Sequence, residues 1–406
     1  MESRPKKVRK TEEEDGGQNA EIPPEIIEAI LSRVPVKPLC RFKLVSKSWQ
    51  SLISDPDFVS NYNKDVFFQR QRLLFTVADG LDGEEEPFTP QYRHLYSLDL
   101  DKFLNQNHDG DSLVAASTEL DYFYGDLPDG ILGWEPFVPF SCHGLFMSEL
   151  SQLTSPDTDI GFILSNPVTQ QSKTIPNPPI CEQFQWWLYG LEFDSSTNEH
   201  KVIYGHEYKD YGIVFSVYTL QTDAWRKIGH LYPYEGRASN GIVVNGAVHW
   251  LVKKLAGGEW VIISFLLAEE KVEEIELPPN YARGFGLGAF RNSLCLTSLC
   301  HSESETHNEF WVMKEYGVRE SWTKIKVSKP YKKLSHSGFW TETHDLMVFD
   351  QSSLVMCNFG DGTSWDLPIG DLGEDCSFGS VGAYVECLPS KVESSVFCRN
   401  EAQAEA

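Results

Sequence analysis

The sequence predicts a mainly β chain with a small α module near its front. Three observations carry this. Residues 22–62 space their apolar positions as helices do, in lengths broken by prolines. Beyond residue 62 no convincing long amphipathic helix occurs. In that remainder an apolar run, a polar turn and a second apolar arm recur, closing at Ile175, Ile228, Leu277, Ile325 and Leu367. Recurrence at roughly 45 residues is the signature of four-stranded propeller blades.

Residues 1–21 read as a disordered tail, basic in RPKKVRK, acidic in TEEED, with almost nothing to bury. Lys6, Lys7, Arg9 and Lys10 form a compact cluster that fits a short nuclear import signal or, more plainly, a solvated tail. The expected location is the nucleus, the cytoplasm or both.

At residue 22 the character changes. Pro23 and Pro24 favour a helix start, and Glu25 and Glu28 sit near its positive end. Ile26 and Ile30 form one i,i+4 stripe, Ile27 and Leu31 another beside it. Pro35 and Pro38 end that helix and open a second through Leu39 and Phe42. Ser46 can cap a third, with Trp49, Leu52 and Ile53 on its apolar side, and Asp55-Pro56 turns the chain. Three short helices thus carry sixteen Ile, Leu, Val, Phe and Trp residues between 22 and 62. They cannot all turn inward in so small a module. The surplus must face the rest of this chain or another protein.

The segment resembles an F-box. The residues that carry the likeness are Ile22-Pro23, Ile26-Ile27, Ile30-Leu31, Val34-Pro35, Leu39-Cys40-Arg41-Phe42, Val45, Lys47-Ser48-Trp49, Leu52-Ile53, Asp55-Pro56 and Phe58. Ile22 stands for the usual Leu, Pro24 for an acid, and Leu44 and Ser46 for the common Arg and Cys. The resemblance implies a three-helix module that docks onto the Skp-type adaptor of a cullin–RING ubiquitin ligase. By position it implies contact through Ile22, Pro23, Ile27, Leu31, Leu39, Val45 and Trp49, any of which could instead be internal core.

The β body is predicted over residues 63–389, with a second disordered tail at 390–406. Its repeats are FILSNPVTQQSKTI, VYTLQTDAWRKI, ISFLLAEEKVEEIEL, EFWVMKEYGVRESWTKI and LVMCNFGDGTSWDL, with HLYSLDL a degenerate start. Before several of them lies another hairpin. Asn245-Gly246 and Arg291-Asn292 are its tight turns, and SCHGLFMSEL and GFWTETHDLMVF hold the matching places. The sum is about six four-stranded blades, with a sandwich of unrelated hairpins as the competing arrangement. The same stretches, with YGLEFDSSTNEHKVI and a closing GAYVECL, resemble the plant F-box-associated domain of type 1, which is described as kelch-like. The likeness spans roughly residues 90 to 388. The kelch Gly-Gly doublet is missing.

Composition narrows the chemistry. The net charge is −24, yet residues 1–66 balance 11 basic against 11 acidic side chains. The remainder is strongly acidic and would repel a phosphate backbone, so nucleic acid is not an expected partner. No apolar run is long enough for a membrane span. Nine scattered cysteines without C-x-x-C suit buried free thiols better than disulfides or zinc.

No catalytic motif, metal site or cofactor is expected. Cys142-His143 is the most tempting pair, but strand neighbours point to opposite faces. His249 reads as a satisfied core histidine, Gly284, Gly286 and Gly288 as a strand entry, and Trp186-Trp187 as blade packing rather than a ligand platform.

The expectation is therefore a non-catalytic substrate-recognition subunit of a Skp-cullin-F-box E3 ubiquitin ligase. A propeller-type enzyme and a ligase-independent binding protein are the alternatives.

Overall fold

The computed structural model describes residues 22–67, 71–78, 93–99, 117–119, 133–151, 161–179, 187–208, 211–236, 239–279, 285–298, 308–327, 334–340, 345–349, 353–358, 360, 362–367, 377–390 and 393. The predicted N-terminal tail with its basic cluster lies outside these residues, as do Trp186 and Gly284. The chain divides into two compact units, residues 1–53 and 54–406. Among the described residues no helix is long and apolar enough to cross a membrane.

The first unit holds helices α1 (Pro24–Leu31), α2 (Val36–Phe42) and α3 (Lys47–Ile53). Prolines set the first two starts: Pro23 and Pro35 are the N-cap residues. Ser46 caps α3 as expected, its Oγ accepting the Trp49 amide at 3.2 Å.

A fourth helix, α4 (Pro56–Phe67), opens the second unit. From the sequence, Asp55-Pro56 is expected to turn the chain. Asp55 is instead an N-cap, its carboxylate accepting the amides of Asp57 at 3.0 Å and Phe58 at 3.2 Å, with Pro56 as the first helical residue. Farther along, Asn63 exchanges two hydrogen bonds with the Leu388 backbone, at 3.0 and 2.8 Å.

Beyond α4 the described elements of this unit are β-strands apart from a short 3-10 turn, and their sheets are those of a propeller-like domain. Among the described residues antiparallel pairing makes six four-stranded groups, the fifth and sixth joined into one eight-stranded sheet by a parallel pairing of Phe290 with Ser337. The first holds Gln71–Ala78, Arg93–Asp99 and Ser117–Glu119, completed by Ser377–Val385, which pairs with Gln71–Ala78. The second holds Gly133–Cys142, Leu145–Ser151, Gly161–Asn166 and Gln171–Ile175. The third holds Trp187–Asp194, Glu199–Glu207, Ile213–Thr219 and Ala224–Tyr232. The fourth holds Ile242–Val244, Ala247–Lys254, Trp260–Leu266 and Lys271–Ile275. The fifth holds Phe285–Phe290, Ser293–Ser298, Asn308–Met313 and Trp322–Val327. The sixth holds Leu334–Trp340, Asp345–Phe349, Ser353–Asn358 and Thr363–Leu367.

The apolar runs are nearly continuous because the sheets are buried on both faces. Side chains alternate along a strand, so each sheet feeds two cores. Val202 and Tyr204 join Leu145, Met147, Phe162 and Leu164 of the second sheet. Ile203 between them joins Val248, Trp250 and Ile263 of the fourth. Ile262 then faces Leu294, Leu296 and Trp322 of the fifth. Fully burying one such side chain stabilises by about 1.5–3 kcal/mol.

The turns follow two rules. Hairpins at Cys142/Leu145, Val244/Ala247 and Phe290/Ser293 have two-residue loops: His143-Gly144, Asn245-Gly246 and Arg291-Asn292. All six loop residues have positive φ, the conformation whose twist matches the strands. The outer hairpins at Asn166/Gln171, Thr219/Ala224 and Leu266/Lys271 have four-residue loops whose last residue, Gln170, Asp223 or Glu270, has positive φ. The hairpin at Met313/Trp322 departs, with a longer loop over residues 314–321 that includes a 3-10 turn at Arg319–Ser321.

Candidate functional site, an apolar ridge on the helical module

Helix α1 exposes a ridge. Ile26 and Ile30, four residues apart and so on one side of the helix, keep 50% and 51% of their surface in solvent, and Ile22, two residues ahead of the helix, keeps 56%. In the segment between α2 and α3, Leu44 and Val45 are 88% and 62% exposed. Single exposed apolar residues are ordinary, but five in so short a module are more than a chance scatter. Leu31, Val36, Leu39 and Ile53 of the three helices have no exposed surface. Phe42 and Trp49 meet edge to face at 5.6 Å, each half-buried, and brace α2 against α3.

The residues singled out from the sequence divide accordingly. Ile22, Pro23 and Val45 are exposed, and Ile27 and Trp49 are half-buried. Leu31 and Leu39 are interior in this conformation and offer a partner nothing to touch. Ile26, Ile30 and Leu44 have the exposure but were not singled out. Both isoleucine stripes of α1 were visible in the sequence, but two adjacent i,i+4 stripes do not say which faces out.

Elsewhere the structure supplies geometry that sequence reasoning lacked. His249 is fully buried with both ring nitrogens bonded, to Ile242 O at 3.0 Å and Tyr316 Oη at 2.7 Å. Gly286 and Gly288 lie within the strand Phe285–Phe290, and Trp187 packs on the core between the second and third sheets. Cys142 and His143 do not point to opposite faces. Strand alternation ends at Cys142, because His143 occupies the hairpin turn with φ 45°.

The family follows from comparison with known proteins. Residues 20–61 match the F-box domain, and residues 118–385 match the F-box associated beta propeller domain. The chain is a plant F-box protein with an F-box-associated domain. Over 344 residues this F-box protein is 26% identical to "F-box protein CPR1" of Arabidopsis thaliana, covering 77% of its own length and 74% of that relative. An F-box/kelch-repeat protein of the same plant is also 26% identical, over 75% of this F-box protein and 78% of the relative. The exposed ridge thus belongs to the F-box itself.

Proposed function

We propose that the chain is the substrate-recognition subunit of a Skp-cullin-F-box ubiquitin ligase. The F-box holds a Skp-type adaptor, and through it a cullin, while the β body holds a target protein. The observation that supports this reading is the apolar ridge of Ile22, Ile26 and Ile30 with Leu44 and Val45, on a module matched as an F-box. Exposed apolar side chains concentrated in one small module are the kind of feature that a second protein covers. Chemistry then belongs to other subunits. This chain raises the target's effective concentration near the charged ubiquitin-conjugating enzyme, and loops joining the strands carry the specificity.

The test is adaptor recovery by the full chain against Ile26→Asp with Ile30→Asp. Both side chains are solvent-facing, so the thermal transition should hold while recovery falls at least tenfold, about 1.4 kcal/mol or more. Equal recovery from the folded variant would overturn the reading. Lys6, Lys7, Arg9 and Lys10 are proposed to direct nuclear entry. Replacing all four by Ala should shift a fluorescent fusion towards the cytoplasm, and an unchanged distribution would refute it.

A further inference from the structure

One side-chain cluster in the β body has chemistry that the ligase role does not use. Where the hairpin Cys142/Leu145 turns, a thiol, an imidazole and a carboxylate converge. Cys142 Sγ lies 3.4 Å from Glu192 Oε1. That sulfur, a ring nitrogen of His143 and a Glu192 oxygen all lie within 4.8 Å of one another.

Backbone geometry explains the meeting. The turn at His143-Gly144 lets His143 swing back beside Cys142, and its ring stacks on Phe193 at 4.4 Å. Gly144 has φ 86°, and a Cβ there would come within 3.0 Å of Cys387 Cβ, so glycine is needed on both counts. Glu192 rises from the adjacent strand of the third sheet, Trp187–Asp194.

The carboxylate is incompletely used. Glu192 is only 6% exposed. Its Oε1 accepts the Phe193 amide at 2.9 Å and the Cys142 thiol, while its Oε2 is buried with no hydrogen-bond partner. A buried polar oxygen left unsatisfied costs on the order of 1–3 kcal/mol. A cation chelated by both carboxylate oxygens would remove that cost.

We propose that Cys142, His143 and Glu192 form a zinc-binding site. Thiolate, imidazole and carboxylate are all ligands that a borderline-soft divalent ion takes together, and three protein ligands leave a fourth position for water or a partner's side chain. The spacing fits. Zn–S of about 2.3 Å and Zn–O of about 2.0–2.2 Å at a tetrahedral angle put sulfur and oxygen roughly 3.5 Å apart, against the 3.4 Å observed. Binding displaces the thiol proton to solvent. Exposed His143 gives the ion a way in. Outside the ligands, buried His200 braces the Cys142 backbone, with Nε2 at 3.0 Å from the Cys142 carbonyl and Nδ1 at 2.9 Å from Glu393 Oε1. Such outer partners hold metal ligands in place.

The experiment uses the full chain without a polyhistidine tag, stripped with a chelator and titrated with Co²⁺. The expected result is one Co²⁺ per chain, a thiolate-to-cobalt charge-transfer band, and displacement of both by Zn²⁺. His143→Ala, an exposed change that should leave the apo fold intact, is expected to weaken Zn²⁺ binding by about tenfold or more. Cys142→Ser should abolish the band, and Cys295→Ser, a buried thiol in the fifth sheet, should leave it unchanged. A wild-type chain without the band, or one whose band and Zn²⁺ affinity survive His143→Ala, would overturn the assignment.

Discussion

Tyr316 sits on the long loop of the fifth sheet, yet its hydroxyl belongs to a buried network in the fourth. It lies 2.7 Å from His249 Nε2 and 3.0 Å from Ser264 Oγ, while His249 Nδ1 lies 3.0 Å from Ile242 O. A carbonyl only accepts, so Nδ1 carries the proton and Nε2 takes the Tyr316 O–H. In that arrangement the imidazole is neutral, and burial pulls its pKa down to about 4 against an ordinary 6.5. The unfolded chain then binds the extra proton between those values. Stability from this site is whole above about pH 6.5 and is lost as pH falls towards 4, by on the order of 3 kcal/mol. The thermal transition of wild type should therefore fall more steeply over that window than that of His249→Asn, and parallel curves would refute the account. The sequence marked His249 as a satisfied core histidine. It could not show that its partner would come from residue 316, because nothing local links positions 67 apart.

At the scale of elements, loops proved harder to read than strands. Asn245-Gly246 declares its hairpin, since both positions need positive φ. The tryptophans that close two repeats share one task. Trp225 donates its indole N–H to Pro176 O at 2.6 Å, and Trp322 to Glu276 O at 3.0 Å, each just past the outer strand of the preceding sheet. They are sheet-to-sheet ties, consistent with packing rather than catalysis. The loop over 314–321 adds a further tie through Arg319, whose Nε donates to Leu277 O at 3.2 Å. Helix α4 went unread because Asp-Pro is ambiguous. The same pair starts a turn or supplies a cap followed by proline at the first helical position. Asp55→Ala should cost about 1 kcal/mol. Amide exchange at Asp57 and Phe58 checks it: those two amides should lose protection while the β strands keep theirs.

For the whole molecule, the repeat interval in the sequence and the six four-stranded groups among the described residues agree, because each sheet needs two apolar faces and so repeats its pattern. What no local pattern announced is the return of Ser377–Val385 to the first sheet; only the family resemblance pointed to a closing strand. Without it, Gln71–Ala78 would present an unpaired edge, the usual template for aggregation. A chain ending at residue 376 should therefore aggregate on heating and lose amide protection in Gln71–Ala78. Light scattering and hydrogen exchange report the two effects, and an unaltered exchange pattern would argue against closure as a stabilising device.

That pairing also imposes an order in time. Arg72 and Glu386 flank the closure and form an ion pair at 3.2 Å across 314 residues of chain. At about 5–20 residues per second, a ribosome needs on the order of tens of seconds to cover that distance. The helices that carry the apolar ridge leave the ribosome well before the first sheet can be completed. A nascent chain can thus expose its F-box ridge while its β body is still unfinished.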